Sequence, residues 1–184
     1  MRIISGNLKA KKLYSAGGRL IRPTSDRLRE SIFDILSFNV RHAVVLDMFA
    51  GTGAIGIEAL SRGAESALFI DIHNKALSVI ERNIKACGLE NKAKIIKWDI
   101  IKNLNCIKSY QAAFNLIFID PPYNKRFLQP TLHNLIKAGS VKKGACLIVE
   151  HSLLEPIPLD FPEYELQDQR KYGKSLVSFL TYIV

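Results

Sequence analysis

From about residue 43 onward, short apolar runs alternate with segments whose apolar residues recur every three or four positions. The runs at 43–49 (AVVLDMF), 66–72 (SALFIDI), 93–100 (AKIIKWDI), 114–120 (FNLIFID) and 144–151 (GACLIVEH) predict buried strands. Between them, 53–63, 74–88 and 131–139 predict amphipathic helices, each stopped by a glycine. Strands and helices in alternation predict an α/β fold, with a mostly parallel sheet covered by helices on both faces. The last stretch, from Tyr164, predicts two strands around Gly173, adding an antiparallel pair at the sheet edge.

The first residues follow another pattern. "RIIS" and "KKLYS" are strand-like, and Gly17–Gly18 marks a turn. "PTSDRLRESIFDILSF" predicts a helix capped by Ser25, with Leu28, Ile32, Ile35 and Leu36 on one face. There is no internal repeat and no linker. The expectation is one domain over 1–184, with an arm at 1–25 and a core at 26–184.

The chain has 184 residues, 48% of them hydrophobic, enough to bury a sizeable core. The net charge of +9 is unevenly spread: residues 1–30 carry eight cations against two acids, leaving only +3 for the rest. A basic block at one end is a candidate footprint for a polyanion, or else a solvated surface. Cys87, Cys106 and Cys146 are widely spaced and lie near no histidine array, which predicts free, mostly buried thiols and no metal site. No secretory signal and no membrane span are legible, so the expected compartment is the cytoplasm.

Ligands of parallel sheets bind at the carboxyl ends of the strands. Asp47, Asp71, Asp99 and Asp120 each fall at or near such an end. Gly51, Gly53 and Gly56 have G-x-G-x-x-G spacing between a strand and a helix, and Asp71 follows where an acid can accept from ribose hydroxyls. A dinucleotide and S-adenosylmethionine both fit this pattern. Asp47, four residues before Gly51, favours the second: a carboxylate repels a pyrophosphate but attracts ammonium and sulfonium groups. Asp47 as a structural acid or helix cap is the plain alternative. Asp99 is placed to accept from an adenine amino group, with Trp98 lining the pocket or simply filling the core.

The stretch "IFIDPPYNKRF" ends a buried strand on a charge. An exocyclic amino group of a base is a poor nucleophile because its lone pair is delocalised into the ring. Two acceptors gripping its N–H bonds favour a pyramidal nitrogen. Asp120 can supply one acceptor and the Pro121 carbonyl the other, pre-aimed by the fixed φ of proline and by the restriction that Pro122 places on the residue before it. Tyr123 offers a ring on which an extruded base can stack, and Asp120 can also take the proton. Lys125 and Arg126 are candidates for the adjoining phosphates. A strand-ending turn is the alternative.

With these residues in place, the chain resembles the class I S-adenosylmethionine-dependent methyltransferases, and more narrowly the RsmD family, which methylates guanine N2 in bacterial 16S ribosomal RNA. "MRIISG", "RPTSDRLRESIFDIL", "LDMFAGTGAIGIEALSRGA", "DPPY" and "YGKSLVSFL" carry the resemblance over nearly the whole chain. It implies a Rossmann-like, seven-stranded sheet with a reversed last strand and a small basic N-terminal extension. By position, Asp47, Gly51, Gly53, Asp71 and Asp99 would bind cofactor, with Phe49, Ala50, Thr52, Ile72 and Ile100 beside them. Asp120, Pro121, Pro122 and Tyr123 would hold the guanine, and Arg2, Arg22, Arg27 and Arg29 would line the RNA path. The implied substrate is 16S rRNA, within a small-subunit assembly, acted on by a monomer. An adenine-N6 or other amino methyltransferase, an NAD(P)-dependent oxidoreductase and a silent RNA-binding module are the rivals. His73, His151, Lys171 and Lys174 have both site and surface readings.

Overall fold

The computed structural model describes residues 1–15, 26–111, 113–158 and 161–184, apart from the side chain of Phe38. The strands are β1 (Val44–Met48), β2 (Ser66–Asp71), β3 (Ala93–Lys97), β4 (Phe114–Ile119), β5 (Val141–Ser152), β6 (Tyr164–Tyr172) and β7 (Ser175–Tyr182). They form a seven-stranded sheet in the order β3-β2-β1-β4-β5-β7-β6. The helices are α1 (Asp26–Leu36), α2 (Ala54–Ser61), α3 (Asn74–Cys87) and α4 (Leu128–Ala138). β1, β2 and β3 pair in parallel, as do β4 and β5, while β7 runs antiparallel to both β5 and β6. The reversed last strand is as expected, and it lies inside its hairpin, leaving β6 at the edge. No described helix is long and apolar enough to cross a membrane. The chain divides into two compact units, Met1–Lys97 and Trp98–Val184.

In the first unit α2 is short and apolar on nearly every side, so it is buried almost throughout. One of its residues is nonetheless an acid. Glu58 is 0% exposed. Its carboxylate accepts from the backbone N–H of Ile4 at 2.8 Å and of Ser5 at 2.9 Å. It also pairs with Arg62 at 2.8 Å and with Arg29 of α1 at 3.8 Å. Arg29, likewise 0% exposed, donates to the Arg2 carbonyl and pairs with Asp26 at 3.0 Å. A buried charge is tolerated only with such compensation.

The N-terminal segment therefore docks rather than dangles. Arg2 and Lys12 form a single antiparallel bridge, less than the two strands expected there. Ser61 of α2 accepts the Asn7 N–H on its carbonyl and the Leu8 N–H on its hydroxyl, which donates to the Ser5 carbonyl at 2.7 Å. Gly6 passes so close that a Cβ would stand 1.9 Å from the Ser61 carbonyl oxygen, at a φ of 84°. Only glycine fits there. In α1 the buried face is Leu28, Arg29, Ile32, Phe33 and Leu36. Ile35, expected on that face, is half-buried, because Phe33 and Arg29 turn the stripe toward α2. The expected turn at Gly17–Gly18 and the Ser25 cap lie outside the described residues.

The second unit begins where the third strand stops short. The expected strand ran to Ile100, but β3 ends at Lys97, and Asp99 accepts the Ile101 N–H at 3.1 Å, a turn that breaks the extended run. α4 starts earlier than expected, at Leu128, with Pro130 in its first turn, where a missing N–H forfeits no helical bond. β6 is mostly exposed and charged, as suits an edge. His151 is buried and held by the Glu155 carbonyl at 2.9 Å and Ser178 at 2.8 Å; burial lowers its pKa, so it is a neutral structural residue. All three cysteines are free, Cys87 buried and the others half-buried.

Glu58→Gln should cost about 3 kcal/mol, because it removes a buried anion from beside the Arg29 guanidinium and leaves it the half-exposed Asp26 and the Arg2 carbonyl. A urea midpoint lowered at constant slope would register this loss. A change within about 0.5 kcal/mol would show that Glu58 does not anchor the segment.

Candidate functional site

The glycine loop joins β1 to α2 in the first unit. Phe49, Gly51 and Gly53 all take positive φ, folding the backbone tightly before the helix. Gly56 sits in the first turn of α2. A Cβ there would lie 2.4 Å from the Phe69 ring and 3.0 Å from Asp47 Oδ2, so the glycine lets the helix close on the sheet.

Asp47 is 4% exposed, and its Oδ2 accepts the Gly56 N–H at 3.0 Å. The helix-capping alternative is thus realised through one oxygen. Burial pushes the carboxyl up to about 8, against the pull of the Gly56 bond and with a smaller push from the charge of Asp71. A nearby cation would reverse that shift. Asp71 ends β2 and supports the loop directly: its Oδ2 accepts the Gly51 N–H at 2.9 Å and its Oδ1 the His73 N–H at 2.8 Å. Each oxygen keeps a second lone pair with which to accept a hydroxyl. Ile72, beside it, is 45% exposed. Ala50 and Gly51 are half-buried, whereas Thr52 and Gly53 are buried.

Asn83 of α3, which no sequence motif marks, locks the loop to the N-terminal segment. Its amide donates to the Thr52 carbonyl at 2.9 Å and to the Tyr14 carbonyl at 3.1 Å, and accepts the Tyr14 N–H at 2.7 Å. A fully buried asparagine with all these bonds is a positioning device. The one signal for it in the sequence is an amide on the apolar side of an amphipathic helix.

In the second unit Asp99 and Ile100 follow β3. Asp99 is half-buried and lies 3.9 Å from Lys102. Ile100 is buried, and its carbonyl accepts from Asn134 at 2.9 Å. Trp98 donates to the Asn103 carbonyl at 2.9 Å, which fixes its ring.

Asp120 is half-buried, one residue beyond the Ile119–Val149 register pair of β4 and β5, as Glu150 is on the neighbouring strand. Pro121 is buried and Pro122 exposed. Tyr123 is half-buried, and its hydroxyl bonds to Glu150 and, at 2.8 Å, to Ser175. Burial, then the Glu150 bond and the charges of Glu150 and Asp120, raise its pKa, with Ser175 opposing; the phenol stays protonated. The loop's next residue, Asn124, donates its N–H to Glu155 at 2.9 Å. Glu150, Ser175 and Glu155 carry no motif, although Glu150, like Asp120, is an acid near the carboxyl end of a buried strand.

Of the basic candidates, Arg2, Arg27, Lys125 and Arg126 are exposed. Arg29 is a correction: wholly buried and committed to Glu58, it cannot reach a polyanion. Arg22 lies outside the described residues. Lys171 is exposed near the end of β6, Lys174 is exposed in the β6–β7 turn, and His73 is exposed before α3.

The profile of the family described as Conserved hypothetical protein 95 matches residues 1–181. The ribosomal RNA small subunit methyltransferase D of Buchnera aphidicola (from Acyrthosiphon pisum) is 34% identical over 155 residues, covering 84% of this chain and 80% of that protein. The protein of the same description from Escherichia coli K12 is 29% identical over 174 residues, 95% and 86% of the two chains. A solved Escherichia coli methyltransferase (yhhF) superposes with a TM-score of 0.87 at 26% identity, over 100% of this chain and 98% of that one.

The protonation of Asp47 can be read from stability. The folded chain holds this proton to about pH 8, whereas the unfolded chain releases it in the ordinary carboxylate range. Its contribution is therefore fully present in acid and is lost as pH rises toward about 8. Asp47→Asn keeps an oxygen for the Gly56 N–H and removes the titration. The variant should gain on the wild type steadily between about pH 5 and about pH 8 in urea unfolding. A difference independent of pH would show that Asp47 is not buried as an acid.

Proposed function

The chain belongs to the RsmD family of methyltransferases, and from that premise we propose that it transfers a methyl group from S-adenosylmethionine to the exocyclic N2 of a guanine in 16S ribosomal RNA. The observation that carries this reading is the pairing of two devices in one chain: a glycine loop braced by Asp71 around a buried Asp47, and a strand ending in Asp120-Pro121-Pro122-Tyr123.

The first device suits this cofactor. A carboxyl raised to about 8 by burial would be drawn back toward its charged form by a permanent positive charge beside it. Asp47 would hold the cationic end, with Phe49, Ala50, Gly51, Thr52 and Gly53 forming the cradle. Asp71 would accept the ribose hydroxyls, and Ile72 would offer an apolar face to the adenine. Asp99 and Ile100 are assigned to the adenine edge. When bound, the cofactor supplies an electrophilic methyl carbon whose bonding pair returns to sulfur as the new bond forms.

The second device suits the acceptor. Asp120 accepts one N–H of the amino group and the Pro121 carbonyl the other, so that the nitrogen lone pair is freed from the ring for attack. The N–H proton leaves to Asp120 or through it to water. Tyr123 acts through its ring, because its phenol does not ionise in the working range. Arg2, Arg27, Lys125 and Arg126 would meet phosphates, and Arg22 is assigned to the same path. The enzyme would work in the cytoplasm as a monomer on a partly assembled small subunit.

Asp120→Ala should abolish transfer of labelled methyl groups to small-subunit particles from cells lacking the gene, with cofactor affinity by calorimetry unchanged within about threefold. Unimpaired turnover would remove Asp120 from the chemistry. Nucleoside analysis of the product separates the readings, since methylated adenine in place of N2-methylguanine would favour the adenine alternative.

Changing Arg2 and Arg27 together to glutamine should weaken RNA binding and lower the slope of log affinity against log salt by about 2. An unchanged slope would take both residues out of the footprint.

A further inference from the structure

Tyr123 is held at both ends. Its backbone follows two prolines and precedes Asn124, whose N–H is fixed to Glu155 at 2.9 Å. Its hydroxyl, at the far end of the ring, meets Glu150 and Ser175. Both partners are nearly closed to solvent, Glu150 9% and Ser175 8% exposed. They come from neighbouring strands, where β5 pairs with β7 through Glu150–Val177 and Ser152–Ser175. A carboxylate only accepts, so the single phenolic proton goes to Glu150 and the Ser175 hydroxyl donates to the phenol oxygen.

We propose that Glu150 and Ser175 are positioning residues that lock the Tyr123 ring as a fixed platform for the target base. The inference rests on the methyl-transfer reading above. A half-buried tyrosine without this anchor would sample several rotamers, and the base stacked on it would not hold its amino group against Asp120. Orientation of this kind is worth rate without any contact between Glu150 and the reacting atoms. The upward push on the Tyr123 hydroxyl agrees with a role through the ring rather than as an acid or base.

A double-mutant cycle tests the route of action. Glu150→Ala should lower kcat/KM for the RNA about tenfold to a hundredfold, with cofactor affinity unchanged within about twofold. Glu150→Gln, which still accepts, should recover to within about threefold of wild type. Tyr123→Phe keeps the ring and loses the anchor, and adding Glu150→Ala to it should cost no more than about a further twofold. Full additivity would overturn the proposal. A second measurement needs no methyl transfer. In protein labelled with carbon-13 tyrosine, Tyr123 should ionise at lower pH in Glu150→Ala than in the wild type. Identical titration would show that no such anchor exists. A wild type that transfers no methyl group, with this shift intact, would instead fault the functional reading.

Discussion

A carboxylate in a dry interior must be surrounded by donors, and Glu58 meets that demand by drawing in three otherwise separate pieces of chain. Two backbone amides come from the N-terminal segment, one guanidinium from α1 and one from the end of α2 itself. Removing any donor leaves charge uncompensated where water cannot help. The same helix carries Gly56 at its other end, where the Asp47 bond closes it on the sheet. The placement of the segment, the seating of α1 and the entry to the glycine loop thus share one helix.

The two carboxylates that matter most in the first unit are treated in opposite ways. Glu58 is fully compensated within the protein, so it needs no ligand. Asp47 has one amide bond and an acid neighbour, and burial leaves it short of positive charge. Full satisfaction suits a structural role, and the deficit at Asp47 is what the cation of the proposed cofactor would make good. Tyr123 extends the contrast to the second unit, where the hydroxyl is saturated and the ring is what remains to be used.

The alternation of apolar runs and helical periods was legible because each element's pattern is local. The strands fall within a few residues of their expected bounds, and the loop and the four aspartates were visible from spacing alone. Contacts across 53 to 69 residues of sequence, such as Ser5–Glu58 and Tyr14–Asn83, were not legible. Arg29 shows the reason. In a list of basic residues it is indistinguishable from Arg27, and only the rotation of α1 buries one and exposes the other. A lone acid inside "AIGIEALS" was the available hint, since such a residue implies a buried cation elsewhere. β3 was overextended because Trp98 and Ile100 have strand propensity, which the Asp99 turn overrides.

Asn83 touches both Tyr14 and Thr52 through one amide group. Two backbone segments that share a donor cannot relax independently. The N-terminal segment and the glycine loop are therefore tied together: neither the Tyr14 nor the Thr52 peptide can shift without straining a bond to Asn83.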